Sequence, residues 1–122
     1  MQNQNRVLIV DDSRISRLMT RAYILSKFPN WEIDEASTGE EAPEKAKSHG
    51  APMILIDVNM PGMGGLAAAE QLRKLYPTCH TTLLTANVQD ATRDRAHNIG
   101  VEFMEKPVTE ARIHQLIGSL VN

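Results

Sequence analysis

Residues 7–16 read VLIVDDSRIS: four apolar residues run without interruption into two adjacent aspartates, Asp11 and Asp12. A continuously apolar run of strand length suits a strand buried on both faces, as in parallel sheets covered by helices on either side. The two carboxylates at its end repel each other, and near a low-dielectric interior that repulsion is costly unless a cation or a proton relieves it. Something positive is therefore expected beside Asp11 and Asp12.

The rest of the chain repeats the pattern. The runs RVLIV (6–10), WEIDEA (31–36), PMILID (52–57), TTLLT (81–85) and VEFM (101–104) are each of strand length and are each followed by a stretch long enough for a crossover helix. This alternation predicts an α/β fold, a five-stranded parallel sheet with helices on both faces. MILI is as apolar as VLIV and belongs in the centre; WEIDEA alternates and is expected at an edge.

Helix one carries Ile15, Leu18, Met19, Ala22 and Leu25 at the spacing of a core-facing stripe, with Asp12 or Ser13 as its cap. The last helix repeats this with Ile113, Leu116, Ile117 and Leu120 after Thr109 as N-cap. GGLAAAEQLRKLY (64–76) and DATRDRAHNIG (90–100) read as helices three and four. The latter has only Ala91, Ala96 and Ile99 to bury, so it is expected to be locally less stable. In helix two, after Thr38 as N-cap, Pro43 falls at about the fifth helical position; the helix either starts late, with Pro43 in its first turn, or is kinked there.

A chain of 122 residues, 42% hydrophobic, predicts one domain over residues 1–122, without an output domain. Its net charge of -2, from 13 basic and 15 acidic residues, gives no global case for direct nucleic-acid or anionic-membrane binding. The start MQNQNR is polar and lacks the apolar segment of a secretion signal or membrane span. With a single cysteine, Cys79, unable to form an internal disulfide, the expected setting is cytoplasmic, without membrane insertion. Cys79 reads as a small buried hydrophobe rather than a reactive thiol. The histidines at 49, 80, 97 and 114 are scattered and suggest no metal cluster.

Open α/β sheets bind ligands outside the carboxyl ends of their strands, where strand order reverses. At those ends this sequence places Asp11–Asp12 (strand one), Asp57 (strand three), Thr85 (strand four) and, after strand five, Lys106–Pro107. Singly each has an ordinary reading: a helix cap, a turn residue, a β-branched strand residue, a surface lysine. Three acids, a hydroxyl and an amine on one rim point jointly to a functional site.

LIVDDS (8–13), ILIDVNMPGMGG (54–65), LLTA (83–86) and FMEKPV (103–108) give the chain a whole-length resemblance to the response-regulator receiver domains of bacterial two-component signalling, and to their stand-alone chemotaxis type. The resemblance implies a flavodoxin-like (βα)5 fold with strand order 2-1-3-4-5. It implies that Asp57 accepts a phosphoryl group from a histidine kinase or histidine phosphotransfer protein, or from a small phosphodonor, as carboxylate nucleophiles do. It also implies Mg2+ (or Mn2+) held by Asp12, Asp57 and the Asn59 backbone carbonyl, with Asp11 acting largely through water. Lys106 and Thr85 would contact the phosphoryl oxygens, and Pro107 would carry the family's cis Lys106–Pro107 bond or merely start the loop before helix five. Thr85 and Phe103 would form the switch, Phe103 having permanent core as its rival reading. Asn59 and Asn87 stand where the family tunes phosphate lifetime. Such a domain is not an enzyme in the ordinary sense: it promotes only its own phosphorylation and slow autodephosphorylation. The expected output is contact with a downstream protein through helix four, strand five and helix five.

Two departures stand out. Gly64 occupies a position usually held by a capping Asp or Asn, and Pro43 interrupts helix two. Arg14, Arg17 and Arg21 form a basic stripe on helix one, read either as a solvated face or as a docking surface for carboxylates on the phosphodonor partner. A phosphorelay intermediate or phosphate sink shares every motif. A flavin mononucleotide site would need a donor-rich loop where DDSR stands, and a haloacid-dehalogenase-type phosphatase a second acid at position 59.

Overall fold

The computed structural model describes residues 5–49, 53–58, 64–86, 90–106 and 108–121. Asn59, Asn87 and Pro107, with the Lys106–Pro107 bond, lie outside these residues, as do the side chains of His49, Ala91 and Leu120. The chain alternates β1 (Arg6–Val10), α1 (Arg14–Lys27), β2 (Glu32–Ala36), α2 (Ala42–His49), β3 (Met53–Asp57), α3 (Gly64–Leu75), β4 (His80–Thr85), α4 (Asp90–Ile99), β5 (Glu102–Glu105) and α5 (Glu110–Val121). All strand pairs are parallel, in the order β2-β1-β3-β4-β5. The expected doubly wound sheet is therefore present, with β3 at its centre and the alternating run at an edge.

Alternation along the strands divides the interior into two layers. Leu8, Val10, Ile54, Ile56 and Leu83 face one side and pack with Ala42, Ala46, Ala69, Leu72 and Ala96 of α2, α3 and α4. Val7, Ile9, Met53, Leu55 and Leu84 face the other and pack with Trp31 and with Ile24, Ile113 and Ile117 of α1 and α5. By the same parity, Asp11 and Asp57 continue the α1/α5 side, while Thr85 and Phe103 belong to the α4 side.

The α1 stripe is oriented differently from the sequence expectation. Ile15, Leu18 and Met19 are 71%, 50% and 49% exposed, Ala22 is exposed and Leu25 half-buried; Thr20 and Ile24 are the buried residues of this helix. Spacing defined an apolar stripe but not the direction it faces. Ile24 anchors the C-terminal half in the core, and Arg17 and Arg21 turn inward to Glu35 on β2, which rolls the apolar stripe to the surface. Ser13 rather than Asp12 caps α1, its hydroxyl accepting from the Ser16 N–H at 3.2 Å.

Helix α2 starts late, with Pro43 in its first turn, where the missing N–H costs no hydrogen bond. Thr38 caps the turn before it, accepting from the Glu41 N–H at 3.2 Å. Thr109 caps α5 as expected, accepting from Arg112 N–H at 3.2 Å, and Ile113 and Ile117 are buried. Strand β5 lies one residue later than expected, with Leu83 opposite Phe103 and Thr85 opposite Glu105. Cys79 is half-buried against the α2/α3/α4 core, and burial pushes its thiol above the ordinary value, in keeping with a hydrophobe.

Candidate functional site

β1 and β3 are neighbours on which the chain winds in opposite directions, so their carboxyl ends define the reversal point of the sheet. Asp11 follows β1 and Asp57 ends β3; both are buried, whereas Asp12 is exposed at the mouth. Carboxylate oxygens of Asp11, Asp12 and Asp57 lie within 4.8 Å of one another. Lys106, arriving after β5, places Nζ 3.1 Å from Asp57 Oδ1 and 4.0 Å from Asp11 Oδ2. The Lys106 N–H donates to the Thr85 carbonyl at 2.7 Å, which ties the lysine to the end of β4. Thr85 itself is buried. The rim residues picked out in the sequence, Asp11, Asp12, Asp57, Thr85 and Lys106, thus meet at one edge.

Burial is the main cause that raises the Asp11 carboxyl above its ordinary 3.8, opposed by the Ser13 N–H at 2.9 Å on Oδ1. Repulsion from Asp57 and Asp12 raises it further, and Lys106 pulls it down. Three hard oxygen donors crowded at this distance, two of them buried, fit a small divalent cation such as Mg2+.

Phe103 is not core: it is 36% exposed and lies beneath the Arg93 guanidinium, 5.6 Å from the ring centroid. The arginine stripe also differs from a solvated face. Arg17 donates from Nε to Glu35 Oε1 at 2.8 Å and from Nη1 to the Asp11 carbonyl at 2.5 Å; Arg21 Nη1 lies 3.1 Å from Glu35 Oε2; Arg14 is exposed. The sequence reading missed Glu35. Its signal was an acid on the inward parity of WEIDEA, two residues after Ile33 and facing two arginines four apart on α1. Beside the acids, a cleft of about 390 Å³ opens between α1 and the segment after β5, lined by Asp11 and Lys106 together with Met19, Tyr23, Leu84 and Val108.

A parallel, doubly wound sheet with clustered carboxylates, a lysine and a threonine at its reversal point defines a flavodoxin-like α/β domain with a cation-type acidic site. Within that class the chain belongs to the response regulator receiver domain family, which matches residues 7–118. Receiver domains are the phosphoacceptor signalling domains of two-component systems. The chain is 31% identical over 112 residues to the transcriptional regulatory protein ResD of Bacillus subtilis, covering 91% of this chain and 45% of ResD. It is 31% identical over 116 residues to the chemotaxis protein CheY of Thermotoga maritima, covering 94% of this chain and 96% of that protein. The chain thus spans less than half of the first relative and nearly all of the second. The CheX–CheY–BeF3–Mg2+ complex of Borrelia burgdorferi contains a similar structure, with TM-score 0.87, 26% identity, and coverage of 96% of this chain and 89% of that one. Among the described residues no helix is long and apolar enough to cross a membrane.

Proposed function

We propose that this receiver domain, residues 1–122, takes a phosphoryl group on Asp57 and signals through protein contacts. The observation that carries the reading is the buried Asp57 carboxylate paired with Lys106 Nζ at 3.1 Å inside a cluster of three acids. A carboxylate oxygen of Asp57 attacks the phosphorus of a phosphohistidine or of acetyl phosphate. A P–O bond forms, the P–N or P–O bond to the donor breaks, and imidazole or acetate leaves with its electron pair. Asp12, Asp57 and the Asn59 carbonyl would hold a divalent cation, with Asp11 acting largely through water, and the bound ion would supply charge neutralisation at the phosphoryl group. Lys106 trades its contact with Asp57 for the phosphoryl oxygens, and Thr85 donates its hydroxyl to them.

Thr85 and Phe103 share one side of the sheet, so drawing Thr85 towards the phosphoryl group frees space into which Phe103 turns from beneath Arg93. The inward ring has no hydroxyl to satisfy, so that state buries no extra polar group. Asn59 and Asn87 are assigned to the lifetime of the phosphate. Docking of the phosphodonor partner is assigned to the exposed apolar face of α1, Ile15, Leu18 and Met19, which adjoins the cleft beside Lys106. Of the three arginines, Arg14 remains for the partner, because Arg17 and Arg21 are engaged with Glu35.

The test is intact-protein mass after incubation with acetyl phosphate, with and without Mg2+, on wild type and Asp57→Asn. A metal-dependent gain of one phosphoryl group in wild type alone supports the reading; no gain in wild type, or an equal gain in the variant, overturns it.

A further inference from the structure

The peptide joining Asp11 to Asp12 determines how both carboxylates leave the strand. The β1–β3 register ends at Val10 opposite Ile56, so the Asp11 carbonyl lies past the ladder and takes its donor from elsewhere. That donor is Arg17 Nη1, at 2.5 Å. The same guanidinium gives its Nε to Glu35 Oε1 at 2.8 Å, and Glu35, set opposite Ile9 on β2, is held on its other oxygen by Arg21 at 3.1 Å. The Arg17 side chain is only 15% exposed. With the Asp11 N–H donating to Ala36 at 3.0 Å and Asp11 Oδ1 accepting from Ser13, this residue is gripped on its amide, its carbonyl and its side chain.

We infer that Arg17, anchored by Glu35, is a positioning residue that holds the Asp11–Asp12 peptide in the orientation needed to bind a divalent cation. This rests on the reading that Asp11, Asp12 and Asp57 form the cation site. The fork matters: a guanidinium bonds to a carboxylate and a carbonyl at fixed angles from one rigid plane, and an ammonium does not reproduce that geometry. The sign of the effect separates positioning from simple electrostatics. Arg17 is a positive charge close to a cation site, so Coulomb's law alone makes its removal tighten Mg2+ binding. Loss of orientation does the opposite, by about tenfold for outer-shell groups of this kind.

Calorimetric titration of Mg2+ into the full, unphosphorylated chain tests this, using Arg17→Met, Arg17→Lys, Arg21→Met and Asp12→Asn. Arg21→Met removes the same charge from the same Glu35 without touching Asp11. The expected result is Mg2+ binding about tenfold weaker in Arg17→Met and unweakened in Arg21→Met. Arg17→Lys, which retains the charge, is expected to be weakened like Arg17→Met. Wild-type or tighter affinity in Arg17→Met, or equal weakening in the Arg17 and Arg21 variants, overturns the inference. If Arg17→Met proves unfolded by circular dichroism, Arg17→Lys decides, and wild-type affinity there overturns it. A wild type that binds no Mg2+, or binds no better than Asp12→Asn, overturns the cation-site reading instead.

Discussion

Lys106 Nζ stands 3.1 Å from Asp57 Oδ1 and 4.0 Å from Asp11 Oδ2, so one ammonium is shared by two buried carboxylates at the ends of different strands. It competes there with any divalent cation. Replacing Lys106 by Met is expected to tighten Mg2+ binding by about three- to tenfold, through loss of a like charge. In the same variant, uptake of phosphoryl from acetyl phosphate is expected to slow on the order of a hundredfold, through loss of a preorganised donor. Calorimetry and intact mass read the two effects; unchanged uptake would remove Lys106 from the chemistry.

Asp11 links stability to pH. Its carboxyl is raised above 3.8, chiefly by burial, so between 3.8 and the raised native value the native state binds more protons there than the unfolded chain. Its stabilising contribution is fully present below 3.8 and is lost as pH rises through the raised native value. In EDTA at pH 7, Asp11→Asn, which keeps an acceptor for the Ser13 N–H, is expected to be more stable by about 1 kcal/mol, roughly 4 °C in Tm. The advantage should shrink as the pH is lowered, and added Mg2+ should raise Tm less than in wild type. Thermal melts across pH, with and without metal, check all three signs.

Gly65 admits no side chain. A Cβ there would lie 2.1 Å from the Asp57 carbonyl oxygen and 2.6 Å from Val58 Cα, so Gly65→Ala must push the start of α3 off the end of β3. The expected cost is about 1–3 kcal/mol as overpacking, with loss of phosphoryl uptake at temperatures where the variant stays folded. Gly64 differs: the space around it is open but φ is +80°, so the conformation rather than crowding calls for glycine. Gly64→Ala is expected to cost about 1–2 kcal/mol with uptake retained. Paired melts and mass measurements distinguish the two positions.

Ile15→Glu and Leu18→Glu, on the exposed face of α1, are expected to change stability by no more than about 0.5 kcal/mol. Acetyl phosphate uptake should be unaffected. Transfer from a phosphohistidine domain should fall by about tenfold or more, as when an apolar anchor is lost from an interface. Equal rates from the two donors in the variants would move the docking surface elsewhere.

The fold was legible because VLIV and MILI are apolar at every position, which central strands require, and because strand-length runs recur at crossover spacing. The rim residues were legible because a doubly wound sheet places the last residue of each strand at one edge. The facing of α1 was not. An i, i+3, i+4 stripe is apolar whichever way the helix rolls, and the roll depended on ion pairs to Glu35, a residue far along the chain. The exposure of Phe103 was not legible either: VEFM is apolar enough to read as core, and the Arg93 guanidinium that lies over the ring belongs to another element.

The two-layered interior gives the rim a particular mechanical position. Asp57 belongs by parity to the layer under α1 and α5, and Thr85 to the layer under α4. A group bonded to Asp57 and held by the Thr85 hydroxyl would be a cross-tie between halves otherwise divided by a sheet one residue thick. Its arrival would set one layer in tension against the other at their common border, and the helices of both would register the load together.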